Sequence, residues 1–303
     1  MNLDKIEIER KKRLKNFNIL FFIGLTFLVA SIVLFLIEYF NKHVESIVSI
    51  IGLVIGIILI LLAFGINNHG YEKFVKDNLE KIIMNDVFKN NKFTYDEKNG
   101  CSFTEMNYSG IFQNPDEFQS TDTIRSTYKD VEFVLSDYVF TRIVVTTDAK
   151  GNTTTHRYPY PGRYLSFHLE RNFDSGVAII EKKNNPDVFH LNLYKNKIDF
   201  ESIEFNKKFQ ITASDKEKAF YLIRPKEIMD FLDFQKKYKG NISNVFVNNM
   251  VYFIIADVAI DFHYSFFKKI SELQIADIRA YYELPLKIID SFSLNRDKYN
   301  AKF

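Results

Sequence analysis

Two apolar stretches decide the fold of this chain: FNILFFIGLTFLVASIVLFLI, residues 17–37, and IVSIIGLVIGIILILLAFGI, residues 47–66. Neither stretch contains a charged residue or a proline. A helix of about 20 apolar residues crosses the hydrocarbon core of a bilayer, and it satisfies its own backbone polar groups there. The sequence therefore predicts a two-helix transmembrane hairpin at residues 17–66.

A cleaved signal peptide is the alternative for the first stretch, because basic residues precede it. The apolar segment of a signal peptide is about 7–15 residues long, and the first stretch is longer than that. A second apolar stretch follows after a short loop, residues 38–46. These features favour two retained spans.

The distribution of basic residues predicts the orientation in the membrane. Lysine and arginine near span ends stay in the cytoplasm, and acidic residues count little. Basic side chains precede the first span and follow the second: Lys5, Arg10, Lys11, Lys12, Arg13, Lys15, Lys73, Lys76 and Lys81. In the connecting loop, residues 38–46, Lys42 is the only lysine or arginine. We expect a multi-pass protein of the cell membrane with both termini cytoplasmic and residues 1–16 as a basic cytoplasmic tail.

Small residues in the spans predict that the two helices pack closely. Gly52 and Gly56 have the G-x-x-x-G spacing, and the first span offers Gly24, Ala30 and Ser31 as a partner surface. Neither span contains an ionisable residue, although transport paths usually place such residues in the membrane. A transporter or channel is therefore disfavoured.

The rest of the chain alternates strand-like runs with a few helices. Residues 67–92 are predicted to contain a juxtamembrane amphipathic helix, and residues 93–303 a cytoplasmic α+β domain with a largely antiparallel sheet. Lys150, Gly151 and Asn152 form a hairpin turn signal. Further elements expected are strands at 203–211, 219–223, 245–247 and 251–262, a helix from Pro225 that ends at Gly240, and a helix at 271–292.

Composition excludes several functions. The net charge of +2 argues against nucleic-acid binding, and the single cysteine, Cys101, excludes a disulfide framework within the chain. We expect Cys101 to be a structural thiol. Common nucleotide, hydrolase and metalloprotease motifs are absent, and the six histidines lack metal-ligand spacing. No cofactor or metal is predicted.

The segment THRYPYPGRY, residues 155–164, is the predicted binding site. We expect a stiff loop, because its prolines restrict the backbone. Arginine and tyrosine dominate binding hot spots, so a rigid loop that carries them suits recognition of a partner. The alternative is a connector whose tyrosines cover the edge of the sheet. The predicted binding residues are His156, Arg157, Tyr158, Tyr160 and Arg163.

A competing hypothesis places an enzyme active site in VYFIIADVAIDFHYSFF, residues 251–267. On a strand, Asp257, Asp261 and His263 would share one face and could carry acid–base chemistry. The alternative is the solvated face of a half-buried strand. A third hypothesis is a structural subunit of a membrane complex.

Three blocks resemble a known family: FESIEFNKKFQITASDKEKAFYLIRPKEIMDFL (200–232), FQSTDTIRSTYKDVEFVLSD (118–137) and FHLERNFDSGVAII (167–180). They are similar to the DUF3137 family of bacterial membrane proteins, a domain of unknown function. The resemblance implies a fold but no catalytic residues and no cofactor. It also implies a shared membrane process with LemA-type membrane proteins. The function expected is binding of a protein partner, for which a LemA-type protein is one candidate, or of a lipid headgroup at the bilayer surface.

Overall fold

The computed structural model describes residues 3–41, 47–238, 240–258 and 262–295. The chain divides into two compact units. One contains Met1–Val87 and Phe262–Tyr282, and the other contains Phe88–Asp261 and Glu283–Phe303. The long C-terminal helix α8, Glu272–Phe292, contributes residues to both units.

The first unit is built on long helices. Helix α1 is Leu3–Asn41 and helix α2 is Ile47–Val75; a single π-helical turn, Lys76–Glu80, leads into α3, Lys81–Val87. The predicted spans lie within α1 and α2, and both helices are long and apolar enough to cross a membrane. The juxtamembrane helix predicted within residues 67–92 continues α2. The N-terminal tail is helical as well, and Arg10 and Arg13 pair one turn apart with Glu7 and Glu9.

Helices α1 and α2 approach each other at small residues. A Cβ on Gly24 would lie 2.9 Å from the carbonyl oxygen of Gly56, and a Cβ on Gly56 would lie 2.9 Å from that of Gly24. At Gly52 a Cβ would collide with the hydroxyl of Ser31. Any larger side chain would push the helices apart, so the predicted close packing of the two helices is confirmed.

The segment Phe262–Tyr282 completes the first unit through polar contacts. The buried Glu80, in the π-helical turn, accepts hydrogen bonds from the hydroxyls of Tyr264 at 2.6 Å and Tyr282 at 3.4 Å. Arg279 forms an ion pair with Asp86 at 2.9 Å. Burying a carboxylate is costly unless donors surround it, and the two tyrosines supply them.

The second unit contains a sheet that has nine strands among the described residues, in the order β1-β2-β3-β4-β9-β8-β5-β7-β6, with every pair antiparallel. The predicted α+β class with an antiparallel sheet is confirmed. The strands are β1 Phe93–Asp96, β2 Glu117–Tyr128, β3 Val131–Thr147, β4 Thr153–His168, β5 Val177–Glu181, β6 Asn196–Ile198, β7 Phe209–Ala213, β8 Asn241–Val247 and β9 Met250–Ala256. The predicted turn at 150–152 joins β3 to β4.

The sheet buries aromatic side chains on both faces. On one face, Phe253 packs against Phe234 of helix α7, Pro225–Lys237, and against Phe292 of α8. The other face carries Tyr138, Phe140, Tyr164 and Tyr252, which belong to one buried cluster. That cluster includes Met106 of the short helix α4, Phe103–Met106, which a 3₁₀ turn, Asn107–Ser109, follows.

Two predicted strands are wrong. Residues 203–208 form helix α5, Ile203–Lys208, before β7 begins, and residues 216–222 form helix α6, Lys216–Leu222. Side-chain caps explain both helices, because Ser202 accepts from the Phe205 amide and Asp215 accepts from the Glu217 and Lys218 amides. The helix predicted from Pro225 is confirmed as α7.

Candidate binding site

The β3–β4 hairpin extends beyond its neighbours in the sheet. Strand β2 pairs with β3 only as far as Thr141, and β9 pairs with β4 only from Gly162 onward. Strands β3 and β4 continue to pair until Thr147 meets Thr153. Residues 142–147 and 153–160 therefore form a two-stranded ribbon that projects past the rest of the sheet.

The prediction of a loop at residues 155–164 is wrong, since the whole segment belongs to β4. The carbonyl of Pro161 accepts from the amide of Asp257, on the side away from β3. The nitrogen of Pro161 points the same way, as does that of Pro159 two residues earlier. Proline has no amide hydrogen, but at both positions the missing hydrogen would face away from β3. Strand β4 therefore loses no hydrogen bond to β3.

The predicted binding residues separate into two groups. Arg163 forms an ion pair at 3.3 Å with the buried Asp137, and Tyr160 packs on the buried aromatic cluster, so both support the sheet. His156 and Tyr158 lie on one face of the ribbon, with ring centroids 6.4 Å apart. Arg157 lies on the opposite face and holds Glu117 at 2.6 Å.

Exposed apolar side chains accompany these residues on the ribbon. Val144 is 44% exposed, Val145 60% and Tyr158 47%. Val144 pairs directly with His156 across the ribbon and so shares the face that carries Tyr158, whereas Val145 lies on the face of Arg157. Sequence reasoning missed the valines, because TRIVVTT predicts a strand but not the absence of neighbours on its flanks.

A cavity of about 720 Å³ opens on the sheet near α4 and the 3₁₀ turn. Its floor includes one row of side chains in register across five strands: Thr94, Arg125, Val134, Ser166 and Tyr252. Other residues that line it are Lys92, Glu105, Tyr108, Glu132, Tyr164, His168, Asn249 and Met250. Polar and aromatic groups converging on a concave surface of this size are typical of a ligand site.

Charges at the cavity wall are arranged around Arg125. Its guanidinium pairs with Glu105 at 2.8 Å, and its Nη2 lies 3.8 Å from Sγ of Cys101. Burial, reinforced by the Glu105 carboxylate, raises the pKa of the Cys101 thiol to about 11. The thiol is therefore protonated at neutral pH, and a protonated thiol is a poor nucleophile. Sequence reasoning missed Arg125, because only the packing of α4 on the sheet brings it beside Glu105.

The predicted acid–base face at residues 257–263 is not formed. Strand β9 ends at Ala256, and Asp257 turns the backbone into the left-handed region with φ 58°. The Asp257 carboxylate accepts from the side-chain amide of Asn241 at 2.6 Å. His263 lies in the first unit, 3.8 Å from Glu72, and Asp261 lies outside the described residues. Within the described ranges, no group of three or more His, Cys, Asp or Glu could hold a metal ion.

The part of the chain from the end of the ribbon onward matches a protein family. Residues 160–294 match DUF3137, described as a protein of unknown function. The resemblance predicted from the sequence is thus confirmed for that range. The DUF3137 region contains Tyr160 and Arg163 but not His156, Arg157 or Tyr158, so the outer part of the ribbon precedes it.

Among solved structures, the chain is similar to the crystal structure of the mycobacterial trehalose monomycolate transport factor A, TtfA, with 6% identity. The alignment covers 72% of this chain and 96% of that chain, with a TM-score of 0.35. A similarity at this TM-score carries no functional argument. No curated protein matches the chain.

Proposed function

We propose that this chain is a two-span protein of the cell membrane, with both termini in the cytoplasm, whose α+β domain binds a protein partner through the β3–β4 ribbon. The observation that carries the proposal is the exposure of Val144, Val145 and Tyr158 on an element that projects beyond its sheet. Tyrosine and arginine, the residue types of Tyr158 and Arg157, are enriched in binding hot spots, and the exposed valines add apolar surface beside them.

Membrane anchoring is supported by the length and apolar surface of α1 and α2. Along both helices, apolar side chains point outward; examples are Phe22, Phe27, Ile57 and Leu61. In water such a surface would be costly, whereas lipid makes it favourable. The basic residues that flank the spans support the cytoplasmic location of both termini.

The prolines of β4 favour side-chain contact over strand addition as the mode of binding. Along the β4 edge of the ribbon, Pro159 lacks an amide hydrogen, and so does Pro161 just after the ribbon, so a partner strand could not pair continuously along that edge. The partner would instead cover the face that carries Val144, His156 and Tyr158. The resemblance to DUF3137 makes a LemA-type membrane protein the first partner to test.

Site-specific photocrosslinking in native membranes tests this proposal. A photoreactive phenylalanine analogue at Tyr158 should give one discrete crosslinked species, and the same residue at Ile203 should not. Ile203 is a matched control, because it is 84% exposed and lies on α5. Val144→Asp, on the face of Tyr158, should abolish the species at Tyr158, whereas Val145→Asp, on the opposite face, should leave it in place. Equal products at Tyr158 and Ile203, or a product at Tyr158 that survives Val144→Asp, would refute the proposal.

The cavity favours a second candidate function, binding of a small molecule. Val134 lies at the centre of the row of side chains across its floor, so Val134→Trp should fill it. Native mass spectrometry of the purified full chain should show a bound mass that Val134→Trp loses and Val145→Trp, on the ribbon, retains. No bound mass in the wild-type protein, or equal retention in both variants, would reject this candidate.

A further inference from the structure

The segment Tyr264–Lys269, YSFFKK, joins aromatic and basic side chains within the first unit. Phe266 is fully buried, while Phe267 is 46% exposed. Lys268 and Lys269 are exposed as well. An exposed phenylalanine beside two lysines is the combination of residues found in segments that lie at the boundary between lipid tails and headgroups.

The contacts of this segment fix its level along the helices. The Phe267 ring lies 4.9 Å from that of Phe17 and 6.3 Å from that of Phe64, and Phe266 lies 5.6 Å from Phe17. Phe17 is the first residue of the first apolar stretch, and Phe64 is near the end of the second. Both therefore mark the same end of the apolar hairpin, the end that adjoins the basic tail.

A backbone contact holds the segment at this level. Arg10, about two turns before Phe17 on α1, donates from Nη1 to the carbonyl oxygen of Phe266 at 3.1 Å, and its Nε is paired with Glu7. The turn itself is closed by the Lys268 amide, which donates to the Ser265 carbonyl at 3.1 Å. The exposed ring of Phe267 thus lies where the apolar surface of the spans ends.

The lysines that follow Phe267 and those of the basic tail favour one occupant, a bilayer that contains anionic lipid. Lys268 and Lys269 follow the ring in sequence, and the helical tail carries the exposed Lys11, Lys12 and Lys15 in the same unit. Basic residues near a membrane surface each contribute attraction to anionic headgroups. A protein partner would not explain why the exposed ring lies at the ends of both apolar stretches.

We propose that Tyr264–Lys269 is a third membrane contact, in which Phe267 inserts at the boundary of the acyl chains and the two lysines bind anionic headgroups. The proposal rests on the membrane anchoring proposed above. It adds that a segment nearly 200 residues after the second span returns to the same membrane face (Ile66 to Tyr264).

Tryptophan fluorescence can test this contact cleanly, because the chain contains no tryptophan. Phe267→Trp is introduced into the full chain, which is reconstituted into phosphatidylcholine–phosphatidylglycerol vesicles with bromine either near the headgroup end or near the tail end of the chains. Phe27→Trp, in the middle of the first apolar stretch, reports the spans, and Tyr158→Trp, on the ribbon, reports the aqueous domain. Lys268→Trp provides a second position in the segment.

At position 267 we expect a blue-shifted emission that shallow bromines quench more than deep ones, with weaker shallow quenching at 268. Position 27 should be quenched most by deep bromines, and position 158 by neither. Quenching at 27 without quenching at 267 or 268 overturns the third contact and leaves the spans intact. No quenching at 27 overturns the membrane anchoring itself. The two failures are therefore distinct.

Discussion

The hydroxyl of Tyr264 donates a 2.6 Å hydrogen bond to Oε1 of Glu80, and both side chains are buried. Burial, together with the negative charge of Glu80, raises the pKa of Tyr264, so the phenol remains a neutral donor. Tyr264→Phe leaves the carboxylate with fewer donors and should cost about 1–3 kcal/mol of stability. Thermal unfolding of the full chain in detergent measures the loss. Tyr158→Phe, at an exposed position, is the control. Equal melting of the two variants would contradict the prediction.

Removing the hydroxyl of Tyr138 and removing that of Tyr164 should have different effects on the stability of the protein. Both side chains are about 1% exposed. The Tyr138 hydroxyl has no hydrogen-bond partner among the described residues, whereas Tyr164 donates to the carbonyl oxygen of Glu105 at 3.3 Å. Tyr138→Phe should therefore be neutral or stabilising, and Tyr164→Phe should cost about 1 kcal/mol. Denaturant midpoints of the two variants decide the matter. A large loss in Tyr138→Phe would reveal a partner for its hydroxyl.

Gly162 of β4 pairs with Tyr138 of β3, and the tyrosine ring leaves no room for a side chain at position 162. A Cβ at this position would lie 2.5 Å from Cζ of Tyr138 and 2.9 Å from the carbonyl oxygen of Ile255. Since one neighbour is a fully buried ring and the other is backbone, Gly162→Ala should destabilise the protein by about 1–3 kcal/mol. Gly65→Ala is the matched control, because a Cβ there meets no atom within 4 Å. The comparison uses thermal midpoints, and equal midpoints would show that the sheet relaxes around the new methyl.

Cys101 should resist thiol reagents in the folded protein. It is 2% exposed, and its pKa is raised to about 11 from an ordinary value of 9.0. At a pH between these two pKa values, the thiolate forms in the unfolded chain but not in the folded chain. Labelling at about pH 9 should therefore require denaturant. Rapid labelling without denaturant would show that the segment around Cys101 opens.

The orientation of the domain must therefore be probed at another residue. Lys150 is exposed in the β3–β4 turn, and Lys150→Cys in a Cys101→Ser background supplies an accessible thiol. A membrane-impermeant reagent should label it only after the membrane is opened, as the basic flanks of the spans imply. Labelling in intact cells would place the domain on the outside.

Elements whose signals are local could be predicted from the sequence. An uninterrupted apolar stretch admits few conformations other than a helix, so α1 and α2 were predictable from composition. Helix α7 was predictable because proline suits a first turn. The β3–β4 turn was predictable because Gly151 adopts φ +85°, which glycine tolerates. The spacing of the small residues Gly52 and Gly56 likewise indicated close packing of the two helices.

Which strands have neighbours, and where strands end, depends on tertiary packing and could not be predicted from local sequence. Residues 155–164 look like a loop because of their prolines. They nevertheless pair with β3, because the missing amide hydrogens of the prolines are on the edge that faces away from β3. Asp257 and His263 look like one strand face, yet β9 ends at Ala256. Arg125 and Glu105 meet across 20 residues of sequence, and Phe17 and Phe267 across 250. Such contacts depend on the packing of remote segments, which no local preference encodes.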